Sequence, residues 1–414
     1  MRLRVSRMSL TSRRLDVDTP PPPPRPCVAP TPFLAAAGSV VLARLAVSVA
    51  DGANVAWLPA VGGVSCLIVA WVLHGWSWSR DLSVVDNTLC CVFHMLNFMP
   101  RMARLHFLRD AAKIRAAANS MNAMSSVAVQ GELKAGKWRE CEMELVHRPP
   151  HDQEGGRDLE VRVYRPREAG DDEVLPLFIL FHGGGMVIGE AAGADVAMWG
   201  AGLRRTAKWS GAALASVEYR LAPEHPFPAA PDDAWYAVQH LAQHATRLRI
   251  DSTRIVLGGL SAGANLALVG ARTAVEHGVN VRGVVAAVPM VAPSMTSQSF
   301  REYGTLAALP TTIMQLWWEC YSPRRAADSV DPRFNLLAGS FKGLPSAVVA
   351  VALADPFRDE GYELVRLLRR DGVPLTALRI HGSHSFGLMG DKAAEAALHC
   401  ETRRLLTRAG RAPD

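Results

Sequence analysis

The fold is decided by RIVLGGLSAGANLAL, residues 254–268. Its first five residues, Arg254–Gly258, are an apolar run typical of a buried strand, and an apolar helix is predicted from about Ala262 to Glu276. The turn between them has the pattern Gly-x-Ser-x-Gly at positions 259–263. A serine on a tight strand-to-helix turn is exposed for attack, and the helix N-terminus favours the negative charge that develops there. This placement predicts Ser261 as a nucleophile.

A second glycine-rich turn, HGGG at 182–185, follows the apolar strand Leu177–Phe181. Glycines at the end of a strand leave backbone N–H groups free to point at a ligand. We therefore predict an oxyanion hole built from the N–H groups of Gly183, Gly184 and Ala262.

A serine nucleophile of this kind needs a base and an acid, which follow it in the order Asp, then His. Asp355 comes just after the predicted strand Ala347–Leu353, and His384 just after the predicted strand Leu375–Ile380. Ligands bind at the carboxyl ends of parallel strands, so both side chains are expected beside Ser261. Two alternatives lie close by in the sequence, Asp359 for the acid and His381 for the base.

The rest of this region alternates apolar runs with helical patterns. Continuous apolar strands separated by helices predict a mostly parallel central sheet that helices cover on both faces, an α/β fold. The other predicted strands are Leu159–Arg165, Val174–Phe181, Ala212–Tyr219 and Val284–Met290, and the other predicted helices are Pro100–Met124, Pro231–Ala245, Glu360–Arg370 and Asp391–Thr407.

The N-terminal part of the chain has a different character. Residues 1–32 are rich in arginine and contain the proline run Pro20–Pro24, which predicts a disordered basic tail, with an organelle transit peptide as the alternative.

Residues 33–79 are predicted to be a membrane anchor. Val55–Trp76 carries no Asp, Glu, Lys or Arg, and about 20 apolar residues can cross a bilayer. A second candidate span, at 33–50, is interrupted by Arg44. The alternative interpretation of Val55–Trp76 is a buried core helix.

Composition argues against several other classes of protein. The net charge is +6, and no basic stripe is interleaved with aromatic residues, so we expect no nucleic-acid partner. The seven cysteines are scattered without a Cys-x-x-Cys pair, so we expect neither a metal site nor a disulfide framework, and no cofactor is implied. The sequence does not predict an oligomeric state.

Several motifs together resemble the hormone-sensitive-lipase family of α/β-hydrolases, and within it the membrane-anchored branch of arylacetamide deacetylase and neutral cholesterol ester hydrolase. They are HGGG at 182–185, EYRLAPEHPFPAA at 218–230, GLSAGA at 259–264, GLP at 343–345, DPFRDE at 355–360 and HSF at 384–386. The resemblance implies an α/β-hydrolase domain over 151–414 and a helical cap formed within 80–150.

The resemblance also implies a chemistry. Ser261 would be the nucleophile, Asp355 the acid and His384 the base of a serine esterase that forms an acyl-enzyme. Its substrate would be a small-molecule or lipid ester, and its location a membrane, that of the endoplasmic reticulum. The alternatives are an amide deacetylase with the same triad and a non-catalytic ligand receptor on the same scaffold.

The chain departs from the family at the nucleophile turn. The family usually has Asp before the serine, where this chain has Leu260, and Gly where it has Ala264. On sequence alone, Leu260→Asp is therefore expected to be tolerated.

Overall fold

The computed structural model describes residues 142–148, 158–189, 210–304, 309, 311–384 and 392–407. In these residues, strands and helices alternate along most of the chain. They are β1 (Glu142–Val146), β2 (Leu159–Tyr164), β3 (Leu175–Phe181), β4 (Ala213–Val217), α1 (Ala229–Gln243), β5 (Ile250–Leu260), α2 (Ala262–Glu276), β6 (Gly283–Ala287), α3 (Gln298–Tyr303), α4 (Thr311–Tyr321), α5 (Arg325–Asp328), β7 (Ala347–Ala354), α6 (Arg358–Arg370), β8 (Leu375–Ser383) and α7 (Lys392–Thr407).

The strands form one sheet with the order β1-β2-β4-β3-β5-β6-β7-β8. The β1–β2 and β2–β4 pairs are antiparallel, and all other neighbours are parallel. Parallel neighbours need a crossover connection, which α1, α2 and α6 help to supply. The predicted mostly parallel α/β sheet is confirmed.

Strand β3 shows why the sheet is buried on both faces. All seven of its residues are buried. Leu177 and Ile179 belong to the apolar cluster that includes residues of α1, α2 and α6, whereas Phe178 and Leu180 belong to a second cluster with residues of α7. Successive side chains of a strand point to opposite faces, so an unbroken apolar run packs against two layers of helices. Burying each such side chain stabilises the fold by about 1.5–3 kcal/mol.

The strand ends differ from their predicted bounds in a way that matters for the site. Strand β8 was predicted to end at Ile380 but continues to Ser383, because Ser383 pairs with Ala354 of β7 after a register shift. The extension brings His384 directly to the end of the strand. Helix α2 has the predicted bounds, Ala262–Glu276.

Two features were not predicted. Strand β1 lies within the 80–150 segment that was expected to form cap helices and a linker, yet it pairs with β2 at the edge of the sheet. The sheet therefore begins upstream of the predicted domain boundary at residue 151. The connection between β6 and β7 contains the helices α3–α5, of which the longest, α4, has 11 residues.

The predicted tail (1–32), the predicted anchor (33–79), the helix Pro100–Met124 and most of the predicted cap lie outside the described residues. Of the helices that the structure describes, none combines the length and apolar character needed to cross a membrane.

Candidate active site

Ser261 occupies the single residue between β5 and α2. Its φ is 57° and its ψ is −116°, a conformation that costs energy for a residue with a side chain. The neighbouring strands hold it there, because the Ser261 N–H donates to the carbonyl of Ala287 (2.9 Å) and the Met290 N–H donates to the carbonyl of Ser261 (3.1 Å). The predicted nucleophile turn is thus a strained turn held at the carboxyl edge of the sheet.

Gly263, two residues after the serine, allows the start of α2 to approach the end of β3 closely. A Cβ atom at Gly263 would lie 2.0 Å from the carbonyl oxygen of Phe181, which is the last residue of β3. No side chain fits at that distance. The start of α2 can therefore lie directly against the point where the HGGG turn leaves β3.

The structure brings Ser261, His384 and Asp355 into one chain of hydrogen bonds. His384 Nε2 lies 2.8 Å from Ser261 Oγ, and His384 Nδ1 lies 2.8 Å from Asp355 Oδ2. The three residues are 5%, 2% and 1% exposed. Because the carboxylate accepts from Nδ1–H, Nε2 is left with a lone pair that faces the serine hydroxyl.

The second carboxylate oxygen of Asp355, Oδ1, also has a hydrogen-bond partner. The N–H of Phe357 donates to Asp355 Oδ1 at 2.9 Å, and the N–H of Arg358 donates to the carbonyl of Asp355 at 3.0 Å. The ring of Phe357 also lies against the imidazole of His384, with centroids 5.5 Å apart. This turn at the start of α6 fixes both the carboxylate and the imidazole. No pattern in the sequence indicates this role of Phe357.

The two sequence alternatives occupy other places. Asp359 accepts from the N–H of Ser299 (2.8 Å) and from Nε of Arg358 (2.9 Å), so its carboxylate links α6 to α3 instead of reaching the imidazole. His381 lies on β8 with an exposed side chain. The structure places neither of them in the hydrogen-bonded chain with Ser261.

The HGGG turn lies beside the serine. A Cβ atom at Gly183 would be 3.8 Å from Ser261 Cβ, and Gly184 has a φ of +116°. Within the described part of the chain, no backbone carbonyl accepts from the N–H groups of Gly183, Gly184 or Ala262. Among the described residues, these three N–H groups are therefore the candidates for the oxyanion donors beside Ser261.

The turn is supported by residues whose roles the sequence analysis did not identify. The hydroxyl of Tyr219 donates to the carbonyl of His182 at 2.8 Å, and the two rings stack with centroids 4.1 Å apart. On the outer side, the indole of Trp317 from α4 packs on Gly185, where an added Cβ would lie 2.0 Å from Cε3. The glycine-rich turn is therefore held between an inner and an outer aromatic side chain.

A buried ionic cluster anchors the segment that carries Tyr219. Asp233 of α1 is 0% exposed and accepts from Nε of Arg148 (2.8 Å), from Nη2 of Arg220 (2.9 Å) and from the Arg220 N–H (2.8 Å). Removing one partner of such an ion pair leaves a buried charge without a counter-ion, which is costly. The sequence places these residues far apart, so only the fold reveals their contact.

The residue before the nucleophile lies in apolar surroundings. Leu260 is 3% exposed and belongs to the cluster that contains Leu180 and Ile380. Its Cδ2 lies 3.6 Å from the position of a Cβ atom on Gly183. The expectation that an aspartate would be tolerated at this position came from the family pattern alone and stays a prediction, whereas the apolar packing of Leu260 favours the opposite outcome.

Leu260→Asp is expected to lower the free energy of unfolding by at least about 3 kcal/mol, because a carboxylate buried without a partner is costly. The measurement is the midpoint of denaturant unfolding. Leu260→Met, which conserves volume, is the matched control and should cost about 1 kcal/mol. Equal midpoints for Leu260→Asp and the wild type would show that a polar partner reaches this position.

A serine hydroxyl that faces a histidine, which a buried carboxylate orients in turn, is the arrangement by which serine hydrolases activate their nucleophile. The sequence profile of a family described as the α/β hydrolase fold matches residues 178–387. The chain therefore belongs to this family of α/β-hydrolases, and the predicted resemblance to hormone-sensitive-lipase-like enzymes is confirmed.

Similar proteins agree with this assignment. The carboxylesterase NlhH of Mycobacterium tuberculosis is 32% identical over 251 residues, which cover 59% of this chain and 76% of the relative. An ethyl acetate hydrolase of Pseudomonas putida is 33% identical over 247 residues, with 58% and 75% covered. The crystal structure of a Pyrobaculum calidifontis esterase has a TM-score of 0.62 and 30% identity, and covers 72% of this chain and 93% of its own. The finer resemblance to the arylacetamide deacetylase branch stays a prediction.

Proposed function

We propose that this chain is a serine hydrolase of carboxylic esters, with Ser261 as nucleophile, His384 as base and Asp355 as acid. The observation that carries the proposal is the hydrogen-bonded chain of these three buried side chains. The similarity to carboxylesterases in both sequence and fold supports the choice of ester substrates.

The geometry supplies each step of acyl transfer. His384 Nε2 takes the proton of Ser261 as Oγ attacks the ester carbonyl carbon, and the same proton then goes to the departing alcohol. The ester C–O bond breaks, and the acyl group stays on Oγ. Water, deprotonated by His384, then attacks the acyl-serine and releases the carboxylic acid. Asp355 stabilises the imidazolium formed in both halves of the reaction.

The negative charge that forms on the carbonyl oxygen is placed at the glycine turn. The N–H groups of Gly183, Gly184 and Ala262 are the proposed donors. Loss of one such donor costs about 3 kcal/mol of transition-state stabilisation in comparable enzymes. The backbone supplies these donors, so their strength depends on how firmly Tyr219 and Trp317 hold the turn.

Lipophilic esters are the proposed substrates. The half-buried indole of Trp317 covers the glycine turn beside Ser261. Apolar and aromatic surface around a few polar groups is the usual make-up of a site for apolar ligands. A series of p-nitrophenyl esters from acetate to palmitate measures the preferred acyl chain, and a kcat/KM that is highest for acetate and falls with each longer chain would contradict the proposal.

The experiment that tests the function is labelling with a fluorophosphonate probe, which reacts with activated serines, in parallel with hydrolysis of a p-nitrophenyl ester. A catalytic protein is labelled and hydrolyses the ester, whereas a ligand receptor on the same scaffold does neither. A matched pair of an ester and the corresponding anilide separates esterase from amidase activity. Faster cleavage of the anilide would assign the chain to the amide-hydrolysing alternative.

A membrane location is a further part of the proposal. Its support is the uncharged run Val55–Trp76 with tryptophans toward both ends, as interfacial anchors would be placed. Anchoring would bring a capped active site close to apolar esters dissolved in the bilayer, and the reticulum is the proposed membrane. Carbonate extraction of membranes from expressing cells is expected to leave the full-length protein in the pellet. Release of the full-length protein into the supernatant would contradict an anchor at this run.

A further inference from the structure

The first turn of α2 contains a buried amide that the mechanism does not use. Asn265 is 2% exposed, and its neighbours in the helix, Ala264 and Leu266, are buried and apolar. Its Nδ2 donates to the carbonyl of Met290 at 2.9 Å, whereas its Oδ1 has no hydrogen-bond partner among the described residues. A buried polar atom without a partner costs free energy. This cost indicates that the amide has a role other than packing.

The hydrogen bonds of Asn265 form a closed ring with the nucleophile turn. The N–H of Met290 donates to the carbonyl of Ser261 at 3.1 Å, and the N–H of Asn265 donates to the same oxygen at 3.1 Å. The bond from Asn265 Nδ2 to the Met290 carbonyl completes the ring. Only the nitrogen of the amide can donate to a carbonyl, so the partner determines which way round the amide lies. The side chain of Asn265 thus holds Met290, and Met290 holds the carbonyl of Ser261.

The carbonyl of Ser261 belongs to the same peptide unit as the N–H of Ala262. A trans peptide unit is planar, so its C=O and N–H groups point in opposite directions. The two donors that hold the carbonyl oxygen therefore also set the direction of the Ala262 N–H, which is one of the candidate oxyanion donors. This direction matters because a hydrogen bond weakens steeply as its donor angle departs from linearity.

We propose that Asn265 is a positioning residue, which directs the Ala262 N–H at the oxyanion by holding Met290 against the carbonyl of Ser261. The inference rests on the proposed function. The oxyanion forms only when Oγ attacks the ester, so the direction of this N–H affects the transition state more than the bound ester. Complete loss of an oxyanion donor lowers kcat by about 10²–10³-fold, and a donor that is present but misdirected should cost less, about tenfold.

The test measures kcat and KM of Asn265→Ala and Asn265→Leu with one p-nitrophenyl ester. Both variants lack the amide, and leucine retains the branched shape of asparagine, so either one tests the proposal if the other does not fold. We expect kcat to fall about tenfold in each variant while KM stays near the wild-type value. Thermal unfolding shows whether the variants are folded at the assay temperature. An unchanged kcat in a folded variant overturns the proposal.

Inhibition by a trifluoromethyl ketone gives a second measurement, which a purely structural role would not change. Oγ of Ser261 adds to the ketone carbonyl carbon, its proton passes to His384, and the carbonyl oxygen becomes an oxyanion held by the same N–H groups. The inhibition constant should therefore rise about tenfold in both variants, in step with the loss in kcat/KM. The acid limb of the pH profile should not move, because the amide of Asn265 contacts Met290 and not His384. An unchanged inhibition constant or a shifted acid limb contradicts the proposal.

Asn335→Ala is the matched control. Asn335 Nδ2 donates to the carbonyl of Ser329 at 3.0 Å, and its Oδ1 accepts from the N–H of Leu337, all within the connection between β6 and β7. The substitution removes the same kind of hydrogen bond from outside the nucleophile turn, so kcat, KM and the inhibition constant should stay near the wild-type values. A loss equal to that of Asn265→Ala would overturn the inference, whereas failure of the proposed function itself would appear as activity that survives in Ser261→Ala.

Discussion

Ser261→Ala is expected to lower kcat for a p-nitrophenyl ester by roughly 10⁶-fold and to abolish labelling by a fluorophosphonate. Without Oγ no acyl-enzyme can form, and only water attack helped by the oxyanion donors remains. The protein should stay folded, because the serine hydroxyl contacts only His384 among the described residues and the strained turn is held by backbone bonds to Ala287 and Met290. Alanine tolerates that backbone about as well as serine does.

The control for this variant is Ser294→Ala, which removes an exposed hydroxyl from the connection after β6. It should keep both labelling and hydrolysis. Thermal unfolding of both variants reports whether the fold is intact. More than about a thousandth of the wild-type rate in Ser261→Ala would show that another group is the nucleophile, since loss of a triad member normally costs more than this.

His384→Ala should be nearly as damaging as the loss of the serine, whereas His381→Ala should lower kcat/KM by less than about tenfold. The triad acts as a unit, so removing the base leaves Oγ protonated and unreactive. The structure places His384 Nε2 2.8 Å from Ser261 Oγ, and His381 has an exposed side chain on β8. The two variants remove the same side chain from positions three residues apart, so they are matched for chemistry and location.

The measurement is kcat/KM of both variants with one ester, together with the rate of fluorophosphonate labelling. Labelling depends on the activated serine and not on ester binding, so a loss in both assays assigns the defect to the base. The opposite order of the two variants would make His381 the base, and equal small effects would contradict a histidine base at either position.

Much of the fold could be predicted because its signals are local. An apolar run before Ser261 and an apolar helix after it determine the turn, and the bounds of α2 agree with the sequence. The short edge strand β1 could not be predicted, because the five residues Glu142–Val146 form a strand only by pairing with β2. The helices α3 and α5 were missed because six and four residues are too few to show a helical period, whereas α4, with 11 residues, is long enough to show one and was overlooked.

The sequence by itself determined the Gly-x-Ser-x-Gly turn, the HGGG turn and the order in which a carboxylate and a histidine follow the serine. Each of these is a property of neighbouring residues, and strand ends in a parallel sheet meet at one edge. The strand ends and the family resemblance favoured Asp355 over Asp359 and His384 over His381, but the sequence could not show which contacts these side chains make. Those contacts depend on the register of β8 against β7, which extends the strand to Ser383, and on the N–H of Ser299, which donates to the carboxylate of Asp359.

Only the tertiary structure decided what surrounds each polar group. The buried setting of Asp233 arises where α1 meets Arg148 and Arg220, and the apolar setting of Leu260 arises where the sheet packs against the helix α7 layer. Burial and partners come from residues far away in the chain, and they set the cost of a charge. For this reason the sequence could name the groups that carry out the chemistry, whereas their ionisation and their tolerance of substitution depend on the folded protein.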